Sequence, residues 1–324
     1  MTFPLSRRRL VLAAGTAALA RPALAQGEWP NRPVRMLVGF TAGSATDVTG
    51  RLFAQKFGDA WGQPVVVENI AGNSGGIAVD RVAKAAPDGY TLMWTGNAAI
   101  TILPSLQRLP FDPLKDLVSI GRTLSMASLI MCNNDLAVRT IGELVAHAKA
   151  NPGKLSYGTP GIGTPQHIAG EMLCHQAGIR MEHIPYRGAN LVDVISGLVQ
   201  VGIQNAGAAM PLVRDGRLRC LGVTSLTRSA NARDLPTVAE QGFPGFEATS
   251  WFGLMAPLGT PQSIVDKVHA TAKKALAEDD MRSRVAALGL DILESTPEEM
   301  RATIATDIPK WARVIEQAGI PTQR

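Results

Sequence analysis

The sequence predicts an α/β protein built as two domains. Strand-like apolar runs alternate with segments of helical periodicity, that alternation starts twice along the chain, and 324 residues exceed what one core usually serves. A hydrophobic content of 46% with 18% charged residues is that of an ordinary globular chain.

The first unit opens on Val34-Arg35-Met36-Leu37-Val38, a short buried strand that breaks into Gly39-Phe40-Thr41-Ala42-Gly43-Ser44. Small and hydroxyl residues at that point let backbone N–H groups point outward at a helix start, where the helix dipole favours an anion. Residues 46–61 carry Val48, Leu52, Phe53, Phe57 and Trp61 at helical spacing, so one face should pack on a sheet. Val65–Asn69 reads as a second strand, residues 75–86 as a second helix and residues 90–94, after the Asp88-Gly89 turn, as a third strand. Strands separated by helices imply parallel pairing with right-handed crossovers.

The alternation restarts at the strand Ser128–Cys132. Thr140 with Glu143 three residues later has the form of a capping box for the helix that follows, and Asn151-Pro152-Gly153 stops it. Strands follow over 154–159, Glu182–Pro185, Val201–Asn205 and 220–224, with helices over 164–177 and 189–198. After Pro244-Gly245 a strand over 249–255 leads into helices marked by Ile264, Val268, Ala272 and Ala275, then by Thr296 and Pro297 at N-cap and N1 of a helix over 297–315. Helices without a sheet of their own must pack on an existing one. The chain is therefore expected to form one domain from 26–125 with 247–324 and another from 126–246, joined by two crossings.

The N-terminus is separate from this fold. Arg7-Arg8-Arg9, an apolar run over 10–20 and Ala23-Leu24-Ala25 make residues 1–25 a signal peptide of twin-arginine type, cleaved after Ala25, and the mature protein is expected in the bacterial periplasm. Removing it takes Arg7, Arg8, Arg9 and Arg21 from the 32 basic residues, leaving 28 against 27 acidic ones. A near-neutral chain lacks the basic surface that nucleic acid requires. Cys132, Cys174 and Cys220 are far apart in apolar contexts and form no metal-binding spacing, so they read as small hydrophobes, with one periplasmic disulfide left open.

The chemistry should lie in loops. Residues 36–50, 89–107, 155–179 and 188–213 contain no lysine or arginine and are rich in Gly, Ser, Thr, Asn and Ala. Ligands of open α/β sheets bind outside the carboxyl ends of strands, so two such loops in each domain would face one another across a cleft. Gly161-Ile162-Gly163-Thr164 repeats in the second domain the logic of Ala42-Gly43-Ser44 in the first. Gly72-Asn73-Ser74-Gly75-Gly76 fits the G-x-S-x-G elbow of a serine hydrolase, for which Asp193 or Asp234 with His269 could complete a triad. Three residues separate that elbow from its strand. Thr164 and His167 could form a catalytic pair, although a histidine there more often orients a loop.

Together the motifs resemble a known family. Trp29-Pro30-Asn31-Arg32-Pro33-Val34, Val38-Gly39-Phe40-Thr41-Ala42-Gly43-Ser44-Ala45-Thr46-Asp47, Val67-Glu68-Asn69, Ala85-Ala86-Pro87-Asp88-Gly89-Tyr90-Thr91-Leu92, Leu109-Pro110-Phe111-Asp112-Pro113, His183-Ile184-Pro185-Tyr186-Arg187-Gly188 and Leu235-Pro236-Thr237 are similar to the Bug family, TctC-like extracytoplasmic solute receptors of tripartite tricarboxylate transporters. The resemblance implies a two-domain periplasmic binding protein of type II, the Venus-flytrap arrangement, closing on a small organic carboxylate and presenting it to membrane permease subunits. It implies a monomer without catalytic residues, cofactor or metal. Carried over residue by residue, the ligand site would include Phe40, Thr41, Ala42, Gly43, Ser44 and Asp47 in the first domain and Thr159, Gly161, Gly163, Thr164 and His167 in the second, with Gly96, Asn97, Ala98, Asn205 and Ala206 beside them. Ser44 departs from the family's usual Ala-Gly-Gly. A serine hydrolase using Ser74, or a periplasmic sensor for the same ligands, are the alternatives. The absence of cations in the four loops predicts that backbone N–H groups and the hydroxyls of Ser44 and Thr164 hold the carboxylate, that Gly163→Val or Thr164→Val weakens binding without harming the fold, and that Arg187 is the competing partner.

Overall fold

The computed structural model describes residues 28–186, 191–229 and 232–322. The predicted signal segment, Arg187 and Gly188 lie outside them.

The described chain runs β1 (Val34–Val38), α1 (Ala45–Trp61), β2 (Val65–Asn69), α2 (Gly76–Ala83), β3 (Thr91–Gly96), a π-helical turn (Ala98–Ile102) continuing into α3 (Leu103–Leu106), and β4 (Leu117–Met126). It continues with β5 (Ser128–Cys132), α4 (Ile141–Ala150), β6 (Ser156–Thr159), α5 (Pro165–Ala177), β7 (Glu182–Pro185), α6 (Leu191–Ser196), β8 (Val201–Asn205), α7 (Ala206–Arg214) and β9 (Arg219–Val223). The remainder is β10 (Ser250–Pro257), α8 (Gln262–Ala277), α9 (Asp279–Ala287), β11 (Asp291–Ile292) and α10 (Pro297–Gln317). Two sheets result, a six-stranded one in the order β11-β4-β10-β3-β1-β2 and a five-stranded one in the order β7-β6-β8-β5-β9.

Both sheets are mixed, which corrects the expectation of parallel pairing. β1 pairs in parallel with β2 and β3, and β6 with β7 and β8, where helices make the crossovers. β10 runs antiparallel between β3 and β4, and β5 antiparallel between β8 and β9. The reason is connectivity. Only Ala127 separates β4 from β5, so the chain enters the second sheet with no crossover helix, and β10 returns to the first sheet from the second.

Helices cover both faces of the first sheet. On one side Phe53 and Phe57 of α1 and Val268 of α8 pack with Met36, Trp94 and Leu254. On the other, Val79 of α2 and Met300 and Ile304 of α10 pack with Leu37, Met93 and Met255. The second core gathers Tyr157, Ile168, Leu173, Ile203 and Phe246, and the far half of α10 joins it through Trp311 and Ile315. The C-terminal helix thus links both cores, with Pro309 inside it between the two halves. The capping box at its start forms between Thr296 and Glu299. At α4 only half of one forms: Thr140 accepts the Glu143 N–H, but the Glu143 carboxylate takes the N–H of Arg139 instead.

Candidate functional site

The site is built where two helix starts come together. At the first, β1 ends and Ser44 caps α1 in an extended conformation (φ −67°, ψ 160°), its hydroxyl oxygen accepting the Asp47 N–H at 3.3 Å. The Val48 N–H reaches the Ser44 carbonyl at 2.9 Å, which leaves the N–H groups of Ala45 and Thr46, in the first turn, without an intrahelical acceptor. The core fixes this turn in place: Trp94 donates from Nε1 to Thr49 Oγ1 at 3.1 Å, and Thr49 donates to the Ala45 carbonyl at 2.7 Å.

Asp47 holds the loop from behind. Its buried carboxylate accepts the Gly43 N–H at 2.8 Å, Arg51 Nε–H at 3.1 Å and Asn69 Nδ2–H at 2.9 Å, and Asn69 also donates to the Phe40 carbonyl at 2.9 Å. Burial alone would raise the Asp47 carboxyl, but the hydrogen bonds from Arg51, Gly43 and Asn69 hold it below the usual carboxylate range. Its charge is therefore answered inside the loop and does not face the cleft.

At the second helix start, Thr164 caps α5 and accepts the His167 N–H at 3.3 Å while donating its own proton to the Gly161 carbonyl at 2.8 Å. The hydroxyl proton is engaged within the loop, so Thr164 offers a ligand an oxygen and a methyl group rather than a donor. Pro165 at N1 has no N–H, which leaves the Gln166 N–H as the one unclaimed amide of that turn. Behind the loop, the Gly163 N–H donates to His167 Nδ1 at 3.2 Å, the His167 ring stacks on His183 with centroids 4.1 Å apart, and His183 Nε2 pairs with Thr159 Oγ1 at 2.7 Å. Burial pulls His167 down to about 3, with His183 adding to it, and pulls His183 down to about 4, so both rings are neutral. A neutral His167 with an unprotonated Nδ1 is what the Gly163 N–H requires, which makes its role that of a loop anchor. Tyr157 donates to the buried Glu171 carboxylate on the same helix face.

A cavity of about 320 Å³ lies between these helix starts. Phe40, Thr41, Ser44, Gly96, Asn97, Ala98, Thr164 and Asn205 line it, while Ala42, Gly43, Asp47, Thr159, Gly161, Gly163, His167 and Ala206 do not. Sequence reasoning missed the other lining residues, Ala45, Thr46, Pro160, Pro165, Gln166, Ser250, Trp251 and Phe252. Gln166 is buried and donates to Ser128 Oγ and Asn205 Oδ1, fixing β5 and β8 to α5 at the cavity floor. Its signal was local, since the second helical residue is where an amide stays free. Trp251 and Phe252 carried none, because their place depends on β10 inserting between β3 and β4. Among the described residues no lysine, arginine or histidine lines the cavity.

The two sides also touch beside the cavity. A Cβ on Gly163 (φ +77°) would stand 2.8 Å from Leu106 and one on Gly207 only 2.1 Å from the Leu288 carbonyl oxygen. The expectation that Gly163→Val leaves the fold intact is therefore corrected: the residue sits in left-handed backbone against Leu106, so valine strains it before any ligand arrives.

A family model described as the tripartite tricarboxylate transporter family receptor matches residues 50–320. This chain belongs to that receptor family. BugT of Bordetella pertussis is 35% identical, with 94% of each chain covered. An R. palustris structure with adipate is 32% identical and superposes with a TM-score of 0.82, covering 91% of this chain and 100% of its own. MatC from Rhodopseudomonas palustris with bound malate is 28% identical with a TM-score of 0.78, covering 89% and 100%. The fold is that of periplasmic binding proteins of the TctC and Bug kind, and the family is one of solute receptors rather than enzymes.

The hydrolase alternative fails on geometry as well. Asp193 accepts from Tyr186 OH at 2.6 Å, and His269 lies against Gly121 of β4, while Ser74 lies beside Gly163. All three cysteines are free, and no group of His, Cys, Asp and Glu among the described residues has the arrangement of a metal site. No described helix is long and apolar enough to cross a membrane.

Proposed function

We propose that this receptor captures a small organic carboxylate in the cavity between α1 and α5, holding it mainly by main-chain amides. The observation that carries this is two helix N-termini, with free N–H groups at Ala45, Thr46 and Gln166, facing one cavity that no cationic side chain lines. The Ser44 hydroxyl oxygen accepts from Asp47, so its proton remains free to donate. Phe40, Trp251 and Phe252 would meet the body of the ligand, and Asn97, Gln166 and Asn205 a second polar group. The remaining expected residues, Ala42, Gly43, Asp47, Thr159, Gly161, Gly163, His167 and Ala206, serve by shaping the two loops.

Two domains, 26–125 with 247–324 and 126–246, would close on the ligand by hinge motion at the crossings, which supplies the differential affinity that a two-state receptor needs. After removal of residues 1–25 the receptor would work in the periplasm as a monomer and hand its ligand to the permease subunits of a tripartite transporter. Adipate and malate, found in two relatives, make dicarboxylates of four to six carbons the first candidates.

A thermal-shift screen of the purified mature protein against organic acids tests the reading. A ligand present at about a hundred times its dissociation constant stabilises by about 2.7 kcal/mol, which appears as a rise of several degrees in melting temperature. A rise with carboxylates that their amides or esters do not produce is expected. A response to amines or neutral sugars in place of carboxylates would overturn it.

A further inference from the structure

A second cavity, of about 460 Å³, lies where β4, the segment entering β10, the loop after β9 and α10 meet. Five buried side-chain nitrogen or oxygen atoms lack a hydrogen-bond partner among the described residues, and three of them, Arg122 Nε, Ser225 Oγ and Trp311 Nε1, belong to residues lining this one cavity. All three can donate a proton. The acidic groups around Arg122, namely Asp307, Glu299 and Glu247, act on it only through space. Glu247 stands 4.0 Å from Lys310, and Asp307 accepts Trp251 Nε1–H at 3.4 Å. Burial lowers the Arg122 guanidinium and raises the Asp307 carboxyl, so both charges are held at a cost.

A buried guanidinium N–H left unmade is more expensive than a neutral donor, and the planar fork of arginine matches the two oxygens of a carboxylate. We propose that this cavity is a second anion site, taking a small carboxylate on Arg122 with the Ser225 hydroxyl and the Trp311 indole as further donors. It differs in kind from the cleft, which offers amides and no cation, and it does not depend on the cleft's assignment. Its donors come from β4 of the first sheet, the loop leaving the second sheet and the helix that joins both cores. Asn97 and Trp251 line both cavities, so they form the wall between the two sites.

The chain has only five tryptophans, which makes the indole N–H signals of an isotope-labelled sample a direct reporter. Trp311 lines the second cavity alone, whereas Trp251 lines both. Sodium succinate and sodium benzoate are titrated separately into the mature protein and into Ala45→Pro, Arg122→Gln and Ser225→Ala. With at least one probe, the Trp311 signal should shift and saturate in wild type and in Ala45→Pro, with affinity weakened at least tenfold in Arg122→Gln and several-fold in Ser225→Ala. Should Arg122→Gln fail to fold, Ser225→Ala carries the comparison. A Trp311 signal that neither probe moves, a shift confined to Trp251, or variants that respond like wild type would each overturn the proposal.

Discussion

Ser44 and Thr164 look alike in the sequence, each a hydroxyl at a helix start after a glycine, and the structure separates them. The Thr164 proton is committed to the Gly161 carbonyl, whereas the Ser44 oxygen accepts from Asp47 and keeps its proton. Sequence could place both as N-caps but could not tell where a hydroxyl proton goes, because that depends on loop closure by Gly161. His167 was legible as a loop anchor, since a histidine three residues past an N-cap returns to its own loop. Its stacking on His183 was not, because β7 brings that ring from another element. A pH prediction follows. Above pH 6.5, the ordinary value, both rings are neutral whether the chain is folded or unfolded; below it the unfolded chain takes up protons that the folded chain refuses until about 4 for His183 and about 3 for His167. Stability should therefore fall as pH drops through that window, by about 1.4 kcal/mol per pH unit for a fully differential proton and by less for the half-buried His183. Denaturant melts between pH 6.5 and 4 should show a shallower acid loss in His167→Gln than in wild type; coincident slopes would contradict the burial account.

Among the elements, those whose residues state their own burial were readable and those defined by a partner were not. β1, β2, β5 and β8 announce themselves as apolar runs, and α10 by Thr296 and Pro297. β4 was missed: its run of Gly121-Arg122-Thr123 interrupts the apolar pattern, and it is a strand because β10 and β11 pair with it on either side. α7 was missed because Ala206-Gly207-Ala208-Ala209 has little amphipathic signal, and it is this helix that meets the other unit. Gly207 lies in its first turn with ordinary helical backbone, so alanine suits the helix itself, yet the new Cβ would fall 2.1 Å from the Leu288 oxygen. Opening the cleft relieves that clash. Gly207→Ala should then weaken ligand binding fivefold or more, within the usual 1–3 kcal/mol of coupling between states, with the melting temperature of the ligand-free protein unchanged. Calorimetric titration beside a melt decides it: a lowered melting temperature with unaltered affinity would mean that the two units do not move apart.

At the scale of the molecule, two sheets with helix starts facing a shared cavity explain how a receptor can hold an anion without a basic residue in contact with it. The alternation of strands and helices made the α/β class readable, and the run of cation-free loops pointed to amides as the donors. The mixed pairing of both sheets, and with it the aromatic wall of Trp251 and Phe252, was hidden because β10 is placed by a return of the chain from the other unit. Charge-assisted hydrogen bonds from amides are worth roughly 1.5–3 kcal/mol each, and buried ones are weakly screened by salt. Ala45→Pro isolates this claim, since proline suits the first helical position after the extended Ser44 and removes one free N–H without adding charge. The deciding measurement is calorimetric titration of wild type and Ala45→Pro with the carboxylate that the thermal screen selects, at about 20 mM and about 500 mM salt. The amide cradle predicts a loss of about tenfold or more in Ala45→Pro at unchanged melting temperature, and less than about a threefold change with salt in wild type. Equal affinity in the two proteins, or a wild-type affinity that falls steeply with salt as an ion pair to Arg187 would produce, would contradict it.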